Sequence, residues 1–336
     1  MAVRLKDIAR ELGVSTVTVS KALRGRADIG QETRERVLKL VAEMDYRPNM
    51  LARGLASGRS YAVGLVVPDL VHPFFGEFAR SLAGGLRAEG MALILASSED
   101  DPAIEQQEIR TLLARGIDVL LVASCRPAAD FPSDLADSTA PVLLIDRQFA
   151  GGRADFVGSD DIAIGEVATR HLIGIGRKRI AHIGGHGMSP SLDRLKGFKR
   201  ALSAAGITLP KAYVVTRERF EESGDSTGYH AMQELLAQKK RPDAVFCYND
   251  LSAIGAMEAA LQAGLRIPED IAFVGCGNLR YADYLRIPLT SVDQASERLG
   301  EAAAARALEL ADEPDQPART IRLEPRLIVR RSSVVG

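Results

Sequence analysis

The sequence predicts a small all-helical head followed by an α/β body of two doubly wound parallel-sheet lobes. Three observations carry that prediction. The first 46 residues hold short helical patterns and no strand signal, apolar strand-like runs alternate with amphipathic helical runs beyond Tyr61, and the strand series restarts near Arg179. Apolar strands without polar alternation, each followed by a helix, belong to parallel sheets covered on both faces.

The head is read first. In LKDIARELGVSTVTVSKAL, Leu5, Ile8, Ala9 and Leu12 fall at i, i+3, i+4 and i+7 and make one buried stripe on a first helix. Gly13 permits a sharp turn, and Ser15 is a natural N-cap for a second helix starting at Thr16. On that helix Val19 and Leu23 point inward, which leaves Thr16, Val17, Ser20 and Lys21 outward. Short side chains and one cation there suit a helix that enters the DNA major groove. A third helix, from about Gln31 to Met44, repeats the amphipathic pattern through Val37, Leu40, Val41 and Met44 and closes the bundle. Pro48 stops it, and Asn49 can cap a short further helix on which Leu51 and Leu55 share a face.

The body follows. Strand runs begin at Ala62, Met91, Val119 and Pro141, then at Arg179, Tyr213, Ala244, Ile271 and Leu289. Between them lie helical patterns such as those from Phe74, Ile104 and Asp250. Two lobes are the economical solution, and ligands then bind beyond the carboxyl ends of the strands, in the cleft between them. The domain reading is 1–46 for the head, 47–60 for a hinge helix and linker, and 61–336 for the body. Its first lobe takes about 61–159 plus 291–318, its second about 160–290 plus 319–336.

Composition agrees with this division. The chain has 336 residues, 46% of them hydrophobic, enough for two or three globular domains. Residues 1–60 carry 12 Lys or Arg against 7 Asp or Glu, whereas the rest carry 31 against 37, so a basic head sits on an acidic body. That asymmetry is expected when one segment alone meets a polyanion. Cys125, Cys247 and Cys276 lack paired C-x-x-C spacing and read as reduced thiols. His182 and His186 sit four apart with Gly184 and Gly185 between them, which denies them the helix a zinc pair needs, and both read as loop histidines. No metal or other cofactor is expected.

The runs LKDIARELGVSTVTVSKAL, QETRERVLKLVAEMDYRPNMLARGL and AVGLVVPDLVHPFF resemble the lactose-repressor (LacI-type) family of bacterial transcriptional regulators. The likeness continues through LLIDR, RIAHIGG, DRLKGF, AVFCYNDLSAIGA, LRIPEDIAFVGCGN, LTSVDQ and LIVRRSS. It implies a helix-turn-helix head, an effector domain like a periplasmic binding protein, and a homodimer whose two heads read half-sites of a pseudo-palindromic, double-stranded operator. By position in the motif, Thr16, Val17 and Lys21 read bases, while Thr18, Ser20, Thr33 and Asn49 contact phosphates and sugars. Arg24 stands where many relatives have Asn. Leu55 matches a hinge leucine wedged into the minor groove, and Leu51 packs against its symmetry mate. Gly54 departs from the usual hinge residue and costs about 1 kcal/mol relative to Ala in a helix.

In the body the resemblance assigns the cleft to His72, Phe74, Phe75, Asp146, Arg147, Arg194, Phe220, Asn249, Gly277 and Gln294. Aromatic faces with forked polar groups suit a carbohydrate. Phe74 and Phe75 also read as core residues of the following helix, one of them mainly so, and Asn249 as the N-cap of the next. Relatives that bind neutral sugars usually carry Asp at the position of Gly277. With Arg147 and Arg194 facing Asp146 alone, the mapped cleft has two cations against one anion and suggests a sugar acid or sugar phosphate. The alternative is a neutral sugar, with Asp283 or Asn278 restoring the balance.

An enzyme on the same lobes is disfavoured: G-x-x-x-x-G-K-[ST] and a complete G-x-G-x-x-G are both missing from the sequence. A transport binding protein would need a signal peptide where the basic head stands. Met1 to Arg10 carries Arg4, Lys6, Asp7 and Arg10 instead, so a cytoplasmic, nucleoid-associated protein with no membrane partner is expected.

Overall fold

The computed structural model describes residues 3–23, 28–46, 54, 57–129, 131–151, 154–185, 187–216 and 224–334. Two compact units divide at Tyr61 and Ala62. In the first unit three helices, α1 (Leu5–Leu12), α2 (Thr16–Leu23) and α3 (Gln31–Glu43), enclose Ile8, Ala9, Val19, Ala22, Val37 and Tyr46. Gly13 ends α1 in the left-handed region at φ 66°, a conformation that glycine adopts without the steric cost a Cβ would add. The Ser15 hydroxyl accepts the Thr18 N–H at 3.0 Å and so caps α2.

The second unit holds two six-stranded sheets. The first runs in the order β11 (Thr320–Leu323), β5 (Asp155–Ser159), β4 (Val142–Ile145), β3 (Val119–Val122), β1 (Ala62–Val67) and β2 (Ala92–Ser97), all parallel. The second runs β12 (Arg326–Ile328), β10 (Thr290–Asp293), β9 (Ala272–Cys276), β8 (Ala244–Cys247), β6 (Ile180–Gly184) and β7 (Val214–Thr216). Only its edge pair β10–β12 is antiparallel. Each sheet reverses its strand order beside its first strand, at β2-β1-β3 and at β7-β6-β8, the switch points at which such sheets open a crevice beyond their carboxyl ends.

Helices cover both sheets. On the first lobe these are α4 (Pro73–Ala88), α5 (Pro102–Ala114), the short α6 (Ser133–Ala136) and α11 (Ser296–Asp312). On the second they are α7 (Asp161–Gly174), α8 (Ser189–Ala204), α9 (Gly224–Leu236) and α10 (Asp250–Gln262). Helices α7 and α8 meet at backbone contact. A Cβ on Gly165 would lie 2.1 Å from the Arg194 carbonyl oxygen, and one on Gly197 would lie 2.0 Å from that of Ile162. This close approach sets where the first turns of α8 stand against the start of α7.

The chain crosses between lobes three times, after β5, β10 and β11, and the crossovers are stitched together. Ser159 Oγ donates to the Gln294 carbonyl at 3.0 Å, and Asp160 N–H to that of Leu323 at 3.1 Å. Two lobe boundaries drawn from the sequence are therefore corrected. Strand β10, which includes Ser291 and Val292, hydrogen-bonds to β9 and belongs to the second lobe, whereas β11 pairs with β5 and belongs to the first. The physical reason is that β5, β11 and β12 are short and partly polar, so their pairing is fixed by tertiary contacts rather than by an apolar run. His182 is also corrected: it is not in a loop but on β6, fully buried, its ring stacked on Phe198 and Phe246 with Nδ1 2.9 Å from the Phe246 carbonyl. His186 lies outside the described residues.

Candidate functional site

A pocket of about 120 Å³ opens between the lobes, at the carboxyl ends of the strands. The first lobe contributes Pro68, Asp69, His72, Phe74 and Phe75 after β1, Asp100 after β2, and Asp146 and Arg147 after β4. From the second come Arg194 on α8, with Tyr248, Asn249 and Leu251 after β8, and Gln294 joins them from a crossover. Of the cleft residues assigned from the sequence, all but Gly277 and Phe220 are brought together here. Phe220 lies outside the described residues. Gly277, at φ 129°, faces the buried Asp250 instead, and an added Cβ there would lie 3.6 Å from Asp250 Oδ2.

Arg194 is 2% exposed and fully engaged. Its Nε donates to Asp161 Oδ1 at 2.8 Å, Nη1 to the Tyr248 carbonyl at 2.7 Å and Nη2 to Gln294 Oε1 at 2.7 Å. Burial alone would lower its pKa, but the acidic groups around it, Asp161 among them, hold it above the usual range. For Asp161, burial is the stronger influence and pushes its carboxyl up, with Arg194 pulling the other way.

Arg147, 9% exposed, is only partly engaged. Its Nη1 donates to the Ser124 carbonyl at 2.9 Å, and its guanidinium lies 5.9 Å from the Phe75 ring centroid. The nearest carboxylate oxygen, Asp100 Oδ1, is 3.8 Å away, close enough for attraction and too far for a hydrogen bond. The turn that carries Arg147 is tight: its N–H returns to the Ile145 carbonyl at 2.5 Å with Asp146 at φ 60°. A non-glycine residue held in the left-handed region marks strain of the kind that clusters at binding sites. Both phenylalanines, 6% and 4% exposed, belong to the first-lobe core as well as lining the pocket, so the core role falls to both rather than one.

The lobes touch across the pocket where Asn249 Nδ2 stands 3.4 Å from His72 Nε2. Asn249 Oδ1 accepts the Ser252 N–H at 2.8 Å and caps α10, so one amide spans both tasks. Burial, helped by the charge of Arg147, lowers the His72 pKa to about 4 and keeps the ring neutral. With Nε2 accepting from Asn249, the ring proton sits on Nδ1. Four buried polar atoms of this pocket have no protein partner: His72 Nδ1, Asp100 Oδ1, Asp146 Oδ1 and Arg147 Nε. Unsatisfied donors and acceptors gathered in one cavity are what a polar ligand completes.

The expected excess of positive charge is not there. Asp69 and Asp100 line the pocket beside Asp146, and Arg194 is already paired with Asp161. Neither Asp283 nor Asn278 takes part, because both bind Arg330. Sequence reasoning missed Asp69, Asp100 and Tyr248. The faint signal was a run of acidic residues, Glu99 to Asp101, directly after a strand.

On the head, Thr16 and Val17 are exposed, Val17 by 60%. The Thr18 hydroxyl sits 2.9 Å from that of Ser15, and Ser20 and Thr33 are half-buried. Lys21 Nζ pairs with Asp28 Oδ2 at 2.5 Å, so the recognition-helix cation is internally matched. Arg24, Asn49, Leu51 and Leu55 lie outside the described residues. Gly54 has a local reason: an added Cβ would lie 2.8 Å from the Arg59 carbonyl oxygen. Among the described residues no group of His, Cys, Asp and Glu could hold a metal ion, and no helix is long and apolar enough to cross a membrane.

A helix-turn-helix in a basic segment and a two-lobed body with a polar pocket at its switch points define a ligand-responsive DNA-binding protein. The comparisons agree. Residues 4–49 match the bacterial regulatory proteins of the lacI family, and residues 169–333 match the periplasmic binding protein-like domain. The ribose operon repressor of Haemophilus influenzae is 35% identical over 98% of both chains. The PurR transcriptional repressor of Erwinia tasmaniensis is 34% identical over 99% of this chain and 97% of its own. The solved complex of the transcriptional regulator CelR with cellobiose, 28% identical, covers 98% of this chain and 100% of its own with a TM-score of 0.73. The chain belongs to the lacI family of bacterial transcriptional regulators and is not an enzyme.

Proposed function

We propose that the chain represses a carbohydrate-utilisation operon, and that a small sugar bound between the lobes switches its affinity for operator DNA. One observation carries this reading: four unpartnered buried polar atoms converge with two aromatic side chains on a single cavity between the lobes. At about 120 Å³ that cavity is well below the roughly 300–1,000 Å³ of sites for drug-sized ligands, which favours a monosaccharide. The name of the Haemophilus influenzae relative points the same way.

The protein acts in the cytoplasm as a homodimer on a pseudo-palindromic operator. Thr16, Val17 and Lys21 read base edges, Thr18, Ser20, Thr33 and Asn49 hold the backbone, Arg24 adds a further DNA contact, and paired Leu51 and Leu55 complete the hinge. A sugar held by His72, Asp146 and Arg147 on one wall and by Arg194, Phe220, Asn249 and Gln294 on the other favours one lobe arrangement. By linkage it changes operator affinity by the same factor as operator changes sugar affinity.

Footprinting genomic DNA with the purified protein tests this. The expected result is protected half-sites beside genes of sugar uptake or breakdown, with occupancy shifted by a monosaccharide. Occupancy that responds to purine bases and to no sugar would contradict it.

A further inference from the structure

The pocket contains a gap of a particular kind. Asp100 Oδ1 and Arg147 Nη1 stand 3.8 Å apart, and Asp100 Oδ1 and Arg147 Nε are both buried without hydrogen-bond partners. The loop that brings Asp100 there is held in place, with its N–H donating to the Pro68 carbonyl at 3.0 Å and its backbone at φ 54°. Arg147 is anchored on the other side by Ser124 and backed by the Phe75 ring. A group that fills this gap must accept from a guanidinium and donate to a carboxylate at once. A hydroxyl does both, whereas a phosphate dianion or a carboxylate carries no proton to give.

Charge points the same way. Arg194 is ion-paired with Asp161, so among the described pocket residues Arg147 is the less engaged of two guanidiniums beside Asp69, Asp100 and Asp146. An anionic ligand would stand among three carboxyl groups, with Arg147 and an Arg194 already bonded to Asp161 to offset them. We propose that Asp100 is the specificity-determining residue of this cleft: it takes a sugar hydroxyl at Arg147, and its carboxyl disfavours a ligand that would bring a phosphate or carboxylate group to that position. This rests on the reading of the cleft as a sugar site and adds the charge class of the ligand and the residue that enforces it.

Calorimetric titration of the full chain tests it, with D-ribose, D-glucose and cellobiose against ribose 5-phosphate and gluconate. The titrations use wild type, Asp100→Asn and, in case the first variant folds poorly, Asp100→Ser. The expected result is that wild type binds a neutral sugar and not the anions. Both variants weaken that sugar tenfold or more, the size of a lost hydrogen bond to a charged group, and gain affinity for the matching anion. Neutral-sugar affinity unchanged within twofold in both variants overturns the role of Asp100 while leaving the sugar site standing. Binding of the anions alone by wild type overturns the inference and leaves a sugar-derivative sensor. Binding of nothing in the set overturns both this inference and the sugar reading.

Discussion

Two arginines face the same pocket from opposite lobes and are treated in opposite ways. Arg194, on the second lobe, spends Nε, Nη1 and Nη2 on Asp161, Tyr248 and Gln294. Arg147, on the first, keeps Nε unpartnered and meets its nearest carboxylate beyond hydrogen-bond range. Both are nearly inaccessible, so burial alone does not separate them; the completeness of their bonding does. A buried cation whose donors are matched is part of the scaffold, and one whose donors are not is waiting for a partner. The second-lobe wall is thus built in advance, while the first-lobe wall is completed by what binds.

That contrast can be broken in order of expected effect. Arg194→Ala leaves Asp161 buried beside an empty space and should destabilise the body by about 3–5 kcal/mol in urea unfolding; a loss under about 1 kcal/mol would mean that Arg194 is no more structural than Arg147.

The surroundings of Arg194 also hold a buried neutral histidine, and pH probes it. Burial lowers the His182 pKa from 6.5 to about 4, so the unfolded chain takes up the proton first as pH falls. Stability from this group is complete above about pH 6.5 and is lost as pH falls toward 4, by on the order of 3 kcal/mol. Asp250, which burial pushes up to about 6, acts in the opposite sense, because the folded state there holds the extra proton. The readout is therefore the stability of wild type minus that of His182→Phe, which should fall steadily from pH 7 to pH 4.

Gly165→Ala places a methyl 2.1 Å from the Arg194 carbonyl and should cost about 1–3 kcal/mol by prising α8 from α7. The smallest stability change belongs to Arg147→Met, within about 1 kcal/mol of wild type by thermal unfolding, since it removes an unmatched donor along with one hydrogen bond.

Much of this was legible in the sequence because it depends on period. The stripe Leu5, Ile8, Ala9 and Leu12 lies at helical spacing, and Ser15 at a cap position, so the head could be read locally. Every apolar strand run named from the sequence is a strand of one of the two sheets. Strand β11, with Arg322 in its middle, gives no such signal, and its partner β5 lies far away in sequence, so the lobe boundary shifted. Asp100 was invisible for a related reason. Its place in the pocket depends on two successive residues, Glu99 and Asp100, in the left-handed region, and no apolar pattern records such a turn. The charge count failed with it, because a count over named motif residues overlooks a carboxylate delivered by loop geometry and a second, Asp161, hidden beneath Arg194.

The most direct test of the division between the two walls is a titration of neutral sugars into wild type and Arg147→Met, paired with thermal unfolding of both without sugar. The account predicts saturable binding by wild type, at least tenfold weaker binding by Arg147→Met, and unfolding midpoints within about 4 °C of each other. Equal sugar affinity in the two proteins, or a variant that unfolds before it can bind, would contradict it.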